Sequence, residues 1–264
     1  MNIQSTRNIA VIGGGWAGLA AAVELSRQGH RISLFESSPQ LGGRARRIHW
    51  QGMPLDNGQH LMIGAYRQLL DLLNILNADT DILFQRLPHQ MLMLDAQTGQ
   101  TVFDLQLPRL PAPLHLIIGI LKSPSLTMGE KIQVLIRFNR LLNTPLKTDI
   151  SVSDWLARAN LPENYSRKLL LPVSLAALTT HPEQASARAF QAVLQQTFKA
   201  PASYTDLLIP RLDLGQVFPT LAEQYILRHG GQIFSRTKVR QLRVSNHRIE
   251  ALQLKEGIVH FDDY

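Results

Sequence analysis

The chain has 264 residues, 45% of them hydrophobic, and carries 27 lysines and arginines against 20 acidic residues, a formal net charge of +7. That length accommodates one large domain or two smaller ones around a sizeable core. Cysteine is absent, which excludes disulfides, cysteine-ligated zinc and a thiol nucleophile, and is compatible with a reducing cytoplasm.

The first residues, Met1 to Asn8, are polar and contain no apolar run, so no signal peptide is expected. The apolar stretch Asn8 to Ile12 reads as a buried strand, and Leu19 to Leu25 reads as a helix. Between them lies Gly13-Gly14-Gly15-Trp16-Ala17-Gly18, with Gly13, Gly15 and Gly18 in the G-x-G-x-x-G spacing of a dinucleotide turn. Gly13 permits the tight strand-to-helix turn, Gly15 lets a pyrophosphate approach the backbone, and Gly18 lets the helix pack closely on the strand. The free N–H groups and positive dipole end of the helix then face the phosphates. The helix is expected to stop near Gln28-Gly29, after Arg27 in its last turn. A second strand, Arg31 to Phe35, ends in Glu36, roughly 20 residues beyond the glycines, where an acidic side chain binds ribose hydroxyls. The expected cofactor contacts here are Gly13, Gly14, Gly15, Ala17, Gly18, Glu36 and Ser37.

Leu41-Gly42-Gly43-Arg44-Ala45-Arg46 forms a second close-approach loop with fixed positive charge. Two readings stand for Arg44, Arg46 and Arg47: an arginine fork for phosphate oxygens, or a solvated basic loop. The run resembles the L-G-G-R-x-R segment of the FAD-dependent amine oxidase and carotenoid desaturase superfamily. Farther on, Leu55-Asp56-Asn57-Gly58-Gln59-His60 leads into Gly64-Ala65-Tyr66-Arg67. This form resembles one branch, the squalene-associated FAD-dependent desaturases, better described as hydroxysqualene dehydroxylases of hopanoid synthesis. The stretches Ala176 to Ala187 and Asp206 to Asp213 are similar to that branch as well.

The resemblance implies an α/β fold: an FAD/NAD(P)-binding Rossmann-like domain of the amine-oxidase type with an inserted, mostly helical substrate domain. It implies FAD as cofactor. It adds Gly42, Gly43, Arg44, Gly58, Gln59, His60 and, through its backbone, Val239 to the flavin contacts. The substrate it implies is a lipid-like isoprenoid, and the reaction is removal of the hydroxyl of hydroxysqualene by reduced flavin. The alternatives are a desaturase or an amine oxidase on the same scaffold. Asp56 and His60 are candidates for the acid only by proximity to the flavin loop, and no catalytic residue is assigned.

Residues 1–75 read as the first part of the FAD-binding domain, 76–205 as the substrate domain and 206–264 as the return. The middle block is rich in leucine, proline and helical periodicity, as in Ile132 to Phe138 and Val152 to Leu156. Met91 to Asp95 and Thr101 to Leu105 look like a hairpin around Gln97-Thr98-Gly99. The apolar segment Pro113 to Lys122 is shorter than the roughly 20 residues needed to cross a bilayer. It reads as a core helix or as a monotopic contact for a lipid substrate, which makes the expected location cytoplasmic with peripheral contact at the inner membrane face. A helix is expected over Gln216 to His229 and a single strand over Gln232 to Val244. Arg236, Lys238 and Arg240 would then share one strand face, solvated or turned to anionic lipid. No nucleic-acid module accompanies them. The histidines show no metal spacing, and no G-x-S-x-G elbow is present. Family members are longer and carry a glycine-aspartate motif near the C-terminus. Nothing after Val239 supplies one, so a missing C-terminal half is an expected partner and an incomplete flavoprotein is a further reading. Such a chain would expose a sheet edge and apolar surface.

Overall fold

A computed structural model describes residues 5–58 and 61–264. The chain forms two compact units, one of Met1–Leu61, Arg67–Gln85 and Ile209–Tyr264, the other of Met62–Tyr66 and Arg86–Leu208. Apart from the short excursion of Met62–Tyr66, the chain passes into the second unit between Gln85 and Arg86 and returns between Leu208 and Ile209, where the sequence suggests 75/76 and 205/206. Helices α2 (Arg67–Ile75) and α3 (Thr80–Leu83) stay with the first unit, where the Arg211 N–H donates to the Leu83 carbonyl at 2.8 Å.

In the first unit, β1 (Asn8–Ile12) leads through the glycine turn to α1 (Trp16–Arg27) and β2 (Arg31–Phe35). β1 and β2 are parallel, with Ile9 opposite Ile32 and Val11 opposite Leu34. Helix α1 buries Leu19, Ala22, Val23 and Ser26, the i, i+3, i+4, i+7 stripe of an amphipathic helix. Burial of Leu19 and Val23 contributes about 1.5–3 kcal/mol each. The helix ends at Gln28, and Gly29 takes the left-handed conformation. A hairpin of β3 (Arg47–Trp50) and β4 (Met53–Asp56) follows, closed by Gln51 and Gly52, both at positive φ.

The chain returns through α10 (Leu214–Val217) and α11 (Pro219–Arg228), and α11 packs on α1. These are two helices rather than the single one expected over 216–229, because Phe218 leaves helical geometry and Pro219 starts a new N-terminus. β10 (Gln232–Phe234) joins β2 in parallel, giving the order β1-β2-β10. The strand expected over 232–244 is also two. Arg236 at φ 55° turns the chain out of the parallel sheet, and β11 (Gln241–Ser245) belongs to a separate antiparallel sheet with β12 (Arg248–Gln253) and β13 (Ile258–Val259). Arg236, Lys238 and Arg240 are exposed, but they lie in the connection and share no strand face.

In the second unit, β5 (Met62–Ile63) pairs with Leu207 and Leu208 of β9 (Leu207–Pro210), which draws residues 62–66 away from their neighbours in sequence. After β6 (Phe84–Leu87), the strands β7 (Gln90–Leu94) and β8 (Thr101–Gln106) form the expected hairpin. Six helices follow: α4 (Leu114–Lys122), α5 (Met128–Asn143), α6 (Val152–Ala159), the short α7 (Glu163–Tyr165), α8 (Leu171–Leu178) and α9 (Ala187–Phe198). A π turn over Ser166–Leu170 joins α7 to α8. Thr127 and Glu130 make a reciprocal capping box at the start of α5, and Ser151 and Ser186 cap α6 and α9. The core holds Phe103 and Leu105 of β8 against the helices, with Phe138 edge-on to Tyr165 at 5.6 Å and to Phe198 at 5.8 Å. His115 of α4 is fully buried, and neither ring nitrogen meets hydrogen-bond geometry with a described residue. Burial pulls its pKa down, opposed by the Pro111 carbonyl, so the ring is neutral in the fold.

Candidate functional site

The turn between β1 and α1 has the geometry its glycines predict. Gly13 lies at φ 101°, a region closed to most side chains, and its N–H donates to the Phe35 carbonyl at 2.8 Å. A Cβ on Gly18 would sit 1.9 Å from the Gly13 carbonyl oxygen, so any side chain there forces helix and turn apart. Gly15 is the N-cap of α1 in extended conformation, and no side chain caps the helix. The first N–H groups of α1 have no intrahelical carbonyl to bond, which is the arrangement that receives phosphate.

The two-glycine loop lies directly on this turn. The Gly42 N–H donates to the Gly14 carbonyl at 2.8 Å, and Gly15 bridges Gly42 in parallel. A Cβ on Gly43 would stand 3.1 Å from the Gly15 Cα, so the two backbones meet through glycine alone. The indole N–H of Trp16 donates to the Ala45 carbonyl at 3.1 Å, fastening the helix start to the loop. Asn57 donates through its backbone N–H to the Arg46 carbonyl at 3.0 Å and through Nδ2 to the Arg44 carbonyl at 3.2 Å. The G-G-R and D-N-G segments, separated in the chain by the β3–β4 hairpin, are thus one bonded assembly.

Glu36 is buried at the end of β2. Its carboxylate accepts from the Gly14 N–H at 2.6 Å, the Ser38 N–H at 2.6 Å and the Ser37 hydroxyl at 3.1 Å. Burial alone would raise its pKa. The donors at Ser38, Gly14 and Ser37 outweigh that and hold it below the usual carboxylate range. The Thr237 N–H donates to the Glu36 carbonyl at 2.8 Å, bringing the connection after β10 alongside. Val239, two residues on, is half-buried against Ala10, Phe35 and Leu252. Ala17 occupies the first turn of α1 and Gly58 closes the D-N-G segment at φ 135°. Gln59 and His60 lie outside the described residues.

The three arginines separate. Arg44 is exposed, and the Arg46 guanidinium donates to the Gly43 carbonyl at 3.3 Å. Arg47 pairs with Asp213 at 2.6 Å, and Gln216 donates to the same carboxylate oxygen. Burial would raise the Asp213 pKa, but Arg47 and Gln216 hold it down. Asp56 accepts from the Leu214 N–H at 2.7 Å. Arg47, Asp213 and Asp56 therefore bind the β3–β4 hairpin to α10, which takes Arg47 out of the phosphate fork and makes Asp56 a strut. Trp16, Asn57 and Asp213 are site-building residues to which the sequence motifs assign no role, and Arg47, read as a fork or solvated arginine, is instead a structural partner of Asp213. Only the placement of Asn57 between Asp56 and Gly58 signals one of them.

These residues fit an adenine dinucleotide diphosphate: an uncapped helix N-terminus, a glycine-only contact between two loops and a buried carboxylate at the end of β2. The second unit separately contains a cavity of about 890 Å³, with Leu87, His89, Leu92, Leu107, Lys122 and Leu207 among its lining. That volume lies within the ~300–1,000 Å³ of small-molecule sites.

A family model for flavin containing amine oxidoreductases matches residues 16–264. The zeta-carotene desaturase of Zea mays is 34% identical over 124 residues, 47% of this chain and 21% of that protein. The hydroxysqualene dehydroxylase of Zymomonas mobilis is 25% identical over 250 residues, 92% of this chain and 56% of that protein. Among solved structures, an oxidoreductase from Methanosarcina mazei superposes with a TM-score of 0.69 at 15% identity, covering 96% of this chain and 57% of its own. That likeness bears on the fold alone. The chain spans little more than half of the longest-matched of these proteins.

Proposed function

The chain belongs to the family of flavin containing amine oxidoreductases, FAD-dependent oxidoreductases, and from that premise we propose that it acts on a long polyisoprenoid, reducing hydroxysqualene to squalene. The observation that carries the cofactor half is the glycine-only contact of Gly15 with Gly43 at the open end of α1. The α1 N–H groups would hold the diphosphate, Glu36 would accept from a ribose hydroxyl, and Arg44 is the arginine of the loop left exposed to meet phosphate. Bound and reduced, FAD supplies the electron pair that no side chain here can deliver. Hydroxysqualene with two electrons and two protons gives squalene and water, and the allylic position of the hydroxyl makes its departure feasible.

The substrate half is supported by what the similar curated proteins are named for, a dehydroxylase of hydroxysqualene and a desaturase of carotene. The leucine-lined cavity beside β7 and β8 is compatible with an apolar chain. The local identity of 34% to the carotene desaturase favours dehydrogenation as the second reading. Purified protein given FAD, dithionite and hydroxysqualene is expected to release squalene, read by gas chromatography. A product with an added double bond, formed from a carotene under oxidising conditions, supports the desaturase instead. Neither product from either substrate overturns both.

A further inference from the structure

Helices α4 and α5, joined by the turn at Ser123 to Thr127, carry their polar and apolar residues in an arrangement unusual for a water-facing hairpin. The inner face of α4 is His115, Leu116, Gly119 and Ile120. Its outer face is Leu114, Ile117, Ile118 and Leu121, a stripe at helical spacing, with Leu114 49% and Leu121 38% exposed. Helix α5 buries Val134, Phe138, Leu141 and Leu142. On its opposite side Met128, Ile132 and Ile136, four residues apart, are 64%, 52% and 61% exposed. Single exposed apolar residues are ordinary, whereas exposed apolar rows at helical spacing on each of two neighbouring helices suit an interaction surface.

The charges along this stretch of sequence are mostly of one sign, with Asp104 of β8 beside the turn at Ser123 and Ser125. Residues 109–140 contain Arg109, Lys122, Lys131, Arg137 and Arg140 against one carboxylate, Glu130. Glu130 bends back to accept from the Thr127 N–H at 2.8 Å and hydroxyl at 2.9 Å, so it is spent on the helix cap. Lys122, at the end of α4 where it also lines the cavity, and Arg140 of α5 are exposed. Among the described residues no helix is long and apolar enough to cross a membrane. An apolar face edged by cations and too short to span has the character of an interfacial element. A second copy placed symmetrically on this face would bring the same cations together, which disfavours a dimer.

We propose that the α4–α5 hairpin docks on an anionic lipid bilayer, with Leu114, Leu121, Met128, Ile132 and Ile136 entering the headgroup boundary and the neighbouring lysines and arginines meeting lipid phosphates. The surface depends on neither flavin nor turnover, so it stands or falls separately from the proposed reaction. Its test is sedimentation of the whole protein with vesicles of phosphatidylcholine alone or with 30% phosphatidylglycerol, the probe composition chosen at roughly the anionic content that gives a strong surface potential. The protein is expected to pellet with the anionic vesicles, less so as salt rises. The double substitution Ile132→Glu with Ile136→Glu is expected to lower that partition about tenfold or more while leaving the thermal melt unchanged. Because the chain has no cysteine, Ile136→Cys labelled with an environment-sensitive dye gives a second reading that does not rest on the glutamate variant. Its emission should shift to the blue with anionic vesicles, and a label at Gln97→Cys should not shift. Failure of the protein to pellet, pelleting of the double variant like the parent, an unshifted Ile136 label, or an oligomer in lipid-free buffer that the double substitution dissolves without altering partition would each overturn the proposal.

Discussion

The glycine turn and the α4–α5 hairpin are built on opposite logics. In the turn, residue identity follows from backbone contact: Gly18 must be glycine because the Gly13 oxygen occupies the place of a Cβ. In the hairpin, the outward residues Met128, Ile132 and Ile136 are mostly exposed and could be polar without harm to the fold, so nothing inside the protein dictates them. A fold-dictated residue is intolerant of any addition, whereas an outward-facing one is free to change and is chosen by its surroundings.

That contrast predicts very different responses to the same change. Gly18→Ala is expected to destabilise the first unit by about 2–3 kcal/mol through overpacking and to abolish retention of FAD, measured by urea unfolding and by flavin absorbance after gel filtration. Retained flavin with an unchanged urea midpoint would remove the distinction. The two regions should also part in acid. His115 has a lowered folded pKa, so the unfolded chain binds its proton first. Its contribution is complete above the ordinary histidine value of about 6.5 and is lost as pH falls below it. Glu36 also has a lowered folded pKa, so its contribution is present above the ordinary glutamate value of about 4.3 and disappears as pH falls through the folded value. Melting temperature against pH should therefore keep a smaller higher step in His115→Leu, the remainder belonging to His89, whose pKa burial also lowers, and a smaller lower step in Glu36→Gln, which Glu24 and Asp213 share. Reduction of both steps in either variant would mean the regions are not separable. The smallest effect is expected on α5, where a Cβ on Gly129 meets nothing within 4 Å. Gly129→Ala should raise stability by about 0.5 kcal/mol, from helix propensity alone.

The same contrast explains what the sequence made legible. The β1–α1–β2 unit and the β7–β8 hairpin were readable because a glycine spacing, an alternating strand and a turn residue are local statements. Single elements over 216–229 and 232–244 were misread because Pro219 and Arg236 act through geometry that a periodicity window averages away. The Arg47–Asp213 pair was hidden for another reason: its partners lie on opposite sides of the second unit in sequence, and a run of three arginines gives no sign of which one is already engaged. The outward face of α4 could not be identified either. Its sequence is apolar nearly all round, so the pattern alone does not tell the buried side from the exposed one.

Glu36 has an implication for nucleotide choice. A carboxylate offers about four lone-pair positions, and in this fold the Gly14 and Ser38 N–H groups and the Ser37 hydroxyl donate to it, with a smaller contribution from the Ser37 N–H. In the proposed role, a ribose would meet an acceptor already held in place by these donors, with a negative charge facing any phosphate on that sugar. A coenzyme phosphorylated on this ribose would then be disfavoured by the same backbone amides that hold the anion in place.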